Sequence, residues 1–506
     1  TLIANNLPFG DEPAELADFE NYMAYKSATA PSQKLFVSFY KTDLTGGIYM
    51  QSSIINEIIA VFPNILLHRE EEYCSVADST WAILPAFEEC ARNFNSDSNE
   101  ERALKKYFSE NEIFKDKYSA VANASKAKPF VFDDKSNVGL LFGNDLNISA
   151  SQVEKFSLCR FSYFCNYGLN VRERRKAEIN PLEYGTFIHY IMEVFFSKYS
   201  KNEFSNMSED DINKECDSIL DDYVNKHFGG SQKNTPRFMY RFNKIRENVH
   251  FLVLHIIEEL KNSGFEPVDC ELKIDGDIPG YEVVLPTGQK ILLRGSVDRV
   301  DILKKGEENY IRIIDYKTGP KEFKLSDILY GLNLQMLIYL YAITLGGEER
   351  YGKVTPAGIL YMPATVKPIS ADNTISDEQI NEQVSKGLKM NGMLLNSLDV
   401  IDNSDAAYIS FNTKNGTLTA GGSLASLEEL GMIFKKLDMT VAKMGTTLYS
   451  GNVEASPLKG GKDSCEYCPY DSICAYHMSD CRNSFSLKND EVCRILEEEQ
   501  ENGGEE

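Results

Sequence analysis

Residues 295–319, GSVDRVDILKKGEENYIRIIDYKTG, decide the fold. Two apolar, β-branched runs flank the polar segment KKGEEN, so the stretch predicts two neighbouring strands joined by a turn. Paired in this way, the strands place Asp298 and Asp315 at the same end of a sheet. Lys317 follows Asp315 by two residues and projects from the same face of its strand.

Two close carboxylates repel each other, and a hard divalent cation with oxygen ligands is the usual remedy. The Lys317 ammonium would then help to orient or deprotonate a metal-bound water for attack on phosphorus. A single Asp-x-Lys is usually an ordinary pair of surface charges. Here, however, Asp315 directly follows the apolar run 311–314, and a carboxylate that emerges from a buried strand needs a partner. The sequence therefore predicts a metal-dependent hydrolase built on Asp298, Asp315 and Lys317.

The surrounding patterns predict an α/β core with a mixed sheet. A capping box at Ser149 opens a helix that runs to Tyr167, and a second helix is predicted from Pro181 to Tyr199. Strands, a helix over 325–345 and a further strand over 357–362 follow. Upstream, residues 34–40 have the pattern of a strand, and the helix that begins at Ser53 is predicted to end at Pro63. No phosphate-binding loop is evident, which excludes an ATP motor.

Composition sets limits on partners and location. The 506 residues suffice for two or three domains, and no apolar run is long enough for a membrane helix. The N-terminus has neither a Met nor a signal pattern, so we expect a fragment of a longer protein. The net charge of −23 requires local basic patches or a partner for DNA binding. The Glu-rich end predicts a disordered tail over 481–506.

The chain contains eleven cysteines and no secretory signal, which favours thiols or metal ligands and a cytoplasmic location. Cys465, Cys468 and Cys474 form a C-x2-C-x5-C cluster that would let three thiolates reach one metal centre. A fourth ligand is needed to complete a zinc or iron–sulfur site made of cysteines alone, and spacing favours Cys481 for that place.

The order of motifs resembles the RecB-type branch of the PD-(D/E)XK nuclease superfamily. The motifs are Gly185-Thr-Phe-Ile-His189, Gly295-x-x-Asp298-Arg-x-Asp301, Asp315-Tyr316-Lys317-x-Gly319 and Gln335-x-x-x-Tyr339. The resemblance implies a mixed central sheet flanked by helices, with Mg²⁺ or Mn²⁺ as cofactor. It assigns the metal to His189, Asp298, Asp315 and the backbone carbonyl of Tyr316. It makes Lys317 the catalytic lysine and places Gln335 and Tyr339 at the site or on the DNA.

Cys159, together with the later triplet, resembles the iron–sulfur staple of AddB-type nuclease domains, which holds a [4Fe–4S] cluster. By that likeness Cys159, rather than Cys481, is the fourth ligand, although Arg160 stands where the family usually has Pro. Three regions follow: an inactive helicase-like α/β remnant (1–147), the nuclease domain (148–480) and the tail (481–506).

This resemblance implies one subunit of a bacterial AddAB-type helicase–nuclease that works with an AddA-type helicase–nuclease partner. It would cut unwound single-stranded DNA, on the 5′-ended strand, during double-strand-break end processing and recombinational repair. The basic residues Arg172, Arg174 and Arg175 are the best local candidates for phosphate contacts. Two alternatives stay open, namely a free-standing Cas4-like iron–sulfur exonuclease and a non-catalytic scaffold that binds DNA ends.

Overall fold

The structure is a computed structural model that describes residues 13–41, 48–62, 64–65, 80–125, 132, 134, 136–172, 181–228, 236–319, 321–365, 376–410, 413–414, 417–418, 424–460, 463–474 and 481–502. The chain folds as two compact units, residues 1–126 and 127–506. The division lies upstream of residue 147, because strand β1 (Leu146–Ser149) and the helix before it belong to the second unit. No described helix is long and apolar enough to cross a membrane.

The described part of the first unit is helical, with a small core around Ala86, Cys90, Phe108 and Phe114. Its helices are α1 (Pro13–Thr29), α2 (Ser53–Val61), α3 (Ile83–Arg92), α4 (Asn99–Glu110) and α5 (Lys115–Ala124). The helix predicted from Ser53 is confirmed. The strand predicted over 34–40 is wrong, since these residues are exposed and adopt no regular structure. The helicase-like character of this region stays a prediction.

The second unit contains a mixed sheet flanked by helices, which confirms the predicted fold class. Its remaining strands are β2 (Glu266–Ile274), β3 (Tyr281–Val284), β4 (Lys290–Lys305), β5 (Glu308–Lys317), β6 (Val354–Pro363), β7 (Asn391–Leu395), β8 (Thr413–Lys414), β9 (Thr417–Leu418), β10 (Leu424–Ala425), β11 (Leu458–Gly460) and β12 (Arg482–Ser484). The main sheet runs β1-β4-β5-β6-β7-β10, and β2 and β3 also pair with β4.

Strand β4 is long enough to serve two sets of neighbours. Its first half lies between β1, in parallel, and β3, antiparallel. Its second half lies between β2 and β5, both antiparallel, while β5 and β6 are parallel. The segment 295–319 therefore forms the predicted strand pair at the centre of the sheet.

Helices cover the sheet and bury one continuous apolar core. They are α6 (Ser136–Phe142), α7 (Ala150–Leu158), α8 (Arg160–Tyr163), α9 (Pro181–Lys198), α10 (Lys201–Ser205), α11 (Glu209–Phe228), α12 (Pro236–Asn262), α13 (Gln335–Gly346), α14 (Glu348–Tyr351), α15 (Asp377–Gly387), α16 (Leu398–Ile401), α17 (Leu427–Tyr449) and α18 (Asn489–Asn502), with a π-helix at Phe164–Gly168 and 3₁₀ turns at Leu325–Tyr330 and Asp471–Ile473.

The helix predicted from Ser149 to Tyr167 is interrupted. The capping box between Ser149 and Gln152 is present, but Cys159 adopts an extended backbone with φ −165° and ψ 121°. The guanidinium of Arg482 donates hydrogen bonds to the carbonyls of Ser157 and Leu158. These last carbonyls of α7 thus find a donor far away in the chain, which no local pattern could reveal.

The predicted disorder of the tail is wrong for residues 489–502, which form α18. Val492 and Leu496 lie one helical turn apart and are both buried, so the helix has an apolar stripe against α17. Lys436 of α17 adds an ion pair to Glu499 at 2.6 Å. The order of this segment therefore comes from its packing on α17, which outweighs its acidic composition.

Candidate active site

Strands β2, β4 and β5 bring three acidic side chains to one end of the sheet. Cys270 pairs with Arg299 and Leu272 with Val297, so Glu271 lies directly opposite Asp298. The Oδ2 atom of Asp298 accepts a hydrogen bond from the backbone N–H of Tyr316 at 2.8 Å. Since like charges opposite each other destabilise a strand pair, Glu271 and Asp298 call for a cation between them.

His189 supplies the ligand from the helical layer. It lies on α9, which packs on β2, β4 and β5, and its Nδ1 atom is 3.4 Å from Asp298 Oδ2 and 3.5 Å from Glu271 Oε1. Burial lowers the pKa of His189, but hydrogen bonds to Asp298 and Glu271 and their charges outweigh burial and raise the pKa to about 10. The imidazolium therefore balances the two carboxylates when no other cation does.

Asp315 and Lys317 form a close ion pair at the end of β5. The Lys317 Nζ atom lies 2.5 Å from Asp315 Oδ2, and the side chain of Lys317 is 31% exposed whereas that of Asp315 is 5% exposed. Burial and the nearby charge of Asp298 raise the pKa of Asp315 to about 6, against the lowering effect of Lys317. The predicted triad of Asp298, Asp315 and Lys317 thus occupies one site.

Glu271 lies in this site although no sequence motif predicted it. Its backbone φ is +53°, a left-handed conformation that costs free energy for a residue other than glycine. Its Oε2 atom accepts a hydrogen bond from Ser296 Oγ at 2.7 Å, and its Oε1 atom faces His189. The alternating run around it predicts a strand, but only the pairing of β2 with β4 shows that Glu271 faces Asp298.

The donor set fits a divalent metal ion. Within the described residues, the one group of three or more potential ligands whose donor atoms all lie within 4.8 Å comprises His189, Glu271 and Asp298. Two carboxylates and an imidazole suit Mg²⁺ or Mn²⁺. Asp315 adjoins this group, since the charge of Asp298 contributes to its raised pKa. The role of the Tyr316 carbonyl stays a prediction.

Gln335 and Tyr339 lie at this site, on the first turns of α13. The backbone N–H groups of Leu334 and Gln335 donate to Glu154 Oε1 on α7, at 2.8 and 3.3 Å. Burial raises the pKa of Tyr339 to about 12, with contributions from the charges of Asp315 and Asp298. The Tyr339 ring packs on Gly295, where an added Cβ would lie 2.5 Å from the ring. Tyr339 is thus buried against β4, which favours positioning over direct contact with DNA.

A buried charge quartet lies behind the acidic side chains. Arg299 and Asp301 of β4, Arg312 of β5 and Glu259 of α12 are at most 2% exposed and form ion pairs between 2.7 and 3.4 Å. Arg299 also donates to the Tyr316 hydroxyl at 3.3 Å. The quartet thus joins the two strands that carry Asp298 and Asp315 to the helical layer.

The cysteines predicted to hold a cluster lie in the same unit. Cys159 is buried at the break between α7 and α8, while Cys465, Cys468 and Cys474 are partly exposed. Burial raises the pKa of the Cys165 thiol, and Cys468 and Cys159 raise it further, so these three cysteines are neighbours. The Tyr470 hydroxyl donates to the Val171 carbonyl at 2.6 Å, which ties the cysteine-rich segment to the residues that follow the π-helix.

The structure describes one of the three arginines that were predicted to contact phosphate. Arg172 is exposed. Arg174 and Arg175 lie outside the described residues. The role of all three arginines in DNA binding stays a prediction.

Comparison with known proteins gives a family match and several curated relatives. Residues 147–475, well over half of the chain, match the family model of the PD-(D/E)XK nuclease superfamily. Three curated relatives are each described as a subunit of an ATP-dependent helicase/deoxyribonuclease. The protein from Ruminiclostridium cellulolyticum is 31% identical over 93% of this chain, that from Clostridium acetobutylicum 29% over 96%, and that from Clostridium botulinum 31% over 96%. The chain spans only 43–45% of the length of these relatives.

Proposed function

The chain belongs to the PD-(D/E)XK nuclease superfamily, and from this premise we propose that it is the nuclease region of an AddB-type subunit of a helicase–nuclease. In this proposal it hydrolyses phosphodiester bonds of unwound single-stranded DNA, on the 5′-ended strand, during end processing for recombinational repair. One observation carries the proposal: His189, Glu271 and Asp298 converge beside the Asp315–Lys317 pair.

We propose that His189, Glu271, Asp298 and Asp315 hold Mg²⁺ or Mn²⁺, with the Tyr316 carbonyl as a further oxygen ligand. A bound metal of this kind supplies Lewis-acid activation of water and of the scissile phosphate. The Lys317 ammonium, held by Asp315, orients the attacking water and stabilises the negative charge that develops on the phosphate. Asp298 keeps its orientation because the Tyr316 N–H donates to it.

The test is cleavage of end-labelled single-stranded DNA with Mg²⁺ by the Asp315→Asn and Lys317→Ala variants. We expect each variant to lose at least about 100-fold in rate, since Asp315→Asn lacks a charged metal ligand and Lys317→Ala lacks the ammonium that orients the water and stabilises the developing charge. Lys324→Ala is a matched control, because Lys324 is 51% exposed and pairs with the exposed Glu322 at 3.6 Å. Unchanged cleavage by both site variants would refute the proposed chemistry, whereas DNA binding without cleavage by the wild-type chain would favour a DNA-end-binding scaffold.

We also propose that Cys159, Cys465, Cys468 and Cys474 hold a [4Fe–4S] cluster. The proximity of Cys159 and Cys468 to Cys165 supports Cys159 as the fourth ligand. The hydrogen bond from Tyr470 to Val171 supports the same assignment, because it holds the segment between Cys468 and Cys474 against the helices that follow Cys159. Four cysteine thiolates are the usual ligands of such a cluster.

The proposed partner is an AddA-type helicase–nuclease subunit, because the relatives are described as subunits of a helicase/deoxyribonuclease. Cys90, Cys165 and Cys216 are buried free thiols, which supports a reducing bacterial cytoplasm. Co-purification with a helicase subunit, followed by mapping of the cut strand, tests both the partner and the strand.

A further inference from the structure

In the second unit, all charged side chains that line a cavity of about 350 Å³ are basic. The cavity lies between the break after α7, the 3₁₀ turn 325–330, α17 and β12. Four basic side chains line it, and none of its lining residues is Asp or Glu. The four are Arg160, Lys436, Lys443 and Arg482. In a chain with a net charge of −23, such a local excess of positive charge needs a reason.

Two of the four cations have no acidic partner among the described residues. Arg160 pairs with Glu454 at 3.1 Å and Lys436 with Glu499 at 2.6 Å. Within the same part of the chain, Lys443 and Arg482 form no ion pair. The guanidinium of Arg482 donates there to the neutral oxygens of residues 157, 158 and 456. The cavity therefore offers uncompensated charge to an anion.

The cavity adjoins the candidate active site through α7. Ser157 lines the cavity and lies three residues, about 4.5 Å along the helix axis, beyond Glu154. Glu154 accepts the N–H groups that begin α13, which carries Gln335 and Tyr339. Gly331 closes the rim next to Ser157, where an added Cβ would be 2.8 Å from Ser157 Cβ.

The cavity also has an aromatic side chain. Tyr330 lines it and accepts a hydrogen bond from the backbone N–H of Phe485 at 3.0 Å, which fixes the ring. Aromatic rings beside cationic groups are the features with which proteins bind single strands, since bases stack on rings and phosphates meet cations. The volume lies at the lower end of the range of pockets that bind small molecules.

We propose that this cavity binds a phosphodiester group of single-stranded DNA next to the nuclease site, with Lys443 and Arg482 on the phosphate and Tyr330 against a base. The inference rests on the proposed function, because it assumes the same substrate. It adds a binding site that lies outside the metal-binding and catalytic residues.

The test measures binding of a fluorescent 20-nucleotide dT strand to the full 506-residue chain, without divalent metal, at several salt concentrations. We expect Lys443→Ala to weaken binding roughly three- to tenfold and to lower the salt slope by roughly 0.7, as for one lost phosphate contact. Lys435→Ala is the matched control, since Lys435 is on the same helix but lines another surface. Its affinity should change less than twofold.

A second measurement gives a positive signal. A strand with 5-iodouracil is photo-crosslinked to the wild-type chain, and the adduct is located by mass spectrometry. We expect an adduct at Tyr330, and its loss in Lys443→Ala. Equal DNA affinities of Lys443→Ala and Lys435→Ala, or crosslinks only at other residues, would overturn the inference. Mg²⁺-dependent cleavage by the wild-type chain would still support the proposed function in that case. If the wild-type chain neither binds nor cleaves the strand, both proposals fail.

Discussion

At the scale of single residues, Glu271 combines an unfavourable backbone conformation with a position opposite Asp298. Such strain persists where the surrounding structure enforces it, and it commonly occurs at functional sites. The contacts to Ser296 and His189 hold its carboxylate in place. Glu271 is therefore expected to bind metal rather than to serve the fold alone.

We expect Glu271→Ala to raise the Mn²⁺ concentration required for half-maximal cleavage at least about tenfold, because one of the few ligands is lost. Titration of Mn²⁺ by electron paramagnetic resonance measures the affinity without catalysis. Glu282→Ala is the control, since Glu282 lies on β3, which pairs with the other half of β4, and is paired with Lys290 at 3.0 Å. Equal Mn²⁺ affinity in both variants would show that Glu271 is not a ligand.

The residues themselves predicted Asp298, Asp315 and Lys317 because each belongs to a short pattern with its own chemical reason, whereas His189 was predicted by the resemblance of its motif to the nuclease family. Glu271 belongs to no such pattern. Its role depends on the register between β2 and β4, two strands joined by a connection that includes β3. Long-range register is a property of the folded sheet, which explains why a local pattern did not identify this residue.

At the scale of elements, the charge quartet links α12, β4 and β5. Removal of one partner leaves a buried charge unpaired, which typically costs about 3–5 kcal/mol. We expect Arg312→Ala to lower the free energy of unfolding by about 4 kcal/mol in urea denaturation. Arg350→Ala is the control, because Arg350 is 44% exposed and its pairing with Asp269 should contribute at most about 1 kcal/mol. Similar losses in both variants would mean that the quartet contributes no special stability.

The contact between α13 and β4 depends on the absence of a side chain at Gly295. A Cβ there would be 2.5 Å from the Tyr339 ring. We therefore expect Gly295→Ala to displace the start of α13, with a loss of about 1–3 kcal/mol in stability and a fall in cleavage. Gly431→Ala on α17 is the control, since no described atom lies within 4 Å of its added Cβ. An unchanged free energy of unfolding for Gly295→Ala would contradict the close packing.

The elements were predicted well where local periodicity decides them and poorly where distant contacts do. The strand pair 295–319 and the helices that begin at Ser53 and Pro181 follow from periodicity and capping. Arg482 donates to the carbonyls just before the break at Cys159, and the last helix packs against α17. Both contacts join segments that are far apart in sequence.

At the scale of the whole molecule, the chain has a nuclease unit that includes more of the sequence than the motifs indicated. The compact unit begins near residue 127, and its last helix ends at Asn502. Segments before the first motif and after the last cysteine of the triplet therefore complete its core. The uncompensated basic cavity lies between these late segments and α7. The packing of the late segments against α7 therefore forms the cavity that is proposed to bind DNA.

The proposed cysteine cluster is expected to hold the segment around Cys159 against the segment that follows α17. Arg482 donates to the end of α7, and Arg160 pairs with Glu454, so protein contacts already join the two ends near Cys159. Because a metal cluster adds covalent links that the unfolded chain lacks, its loss should uncouple the ends. We expect Cys159→Ala to lose the iron content and visible absorbance of the purified chain.

Cys159→Ala should also unfold less cooperatively and become sensitive to proteolysis after α17, although all proposed Mg²⁺ ligands are intact in this variant. Cys481→Ala should retain iron, since Cys159 is the proposed ligand. Cys270→Ala controls for the removal of a thiol, because Cys270 lies in β2 and is not one of the proposed cluster ligands. It should retain iron. Loss of iron only in Cys481→Ala would assign the fourth ligand to Cys481. Zinc and iron contents are measured on the same sample. Stoichiometric zinc without iron in the wild-type chain would replace the iron–sulfur proposal with a zinc site.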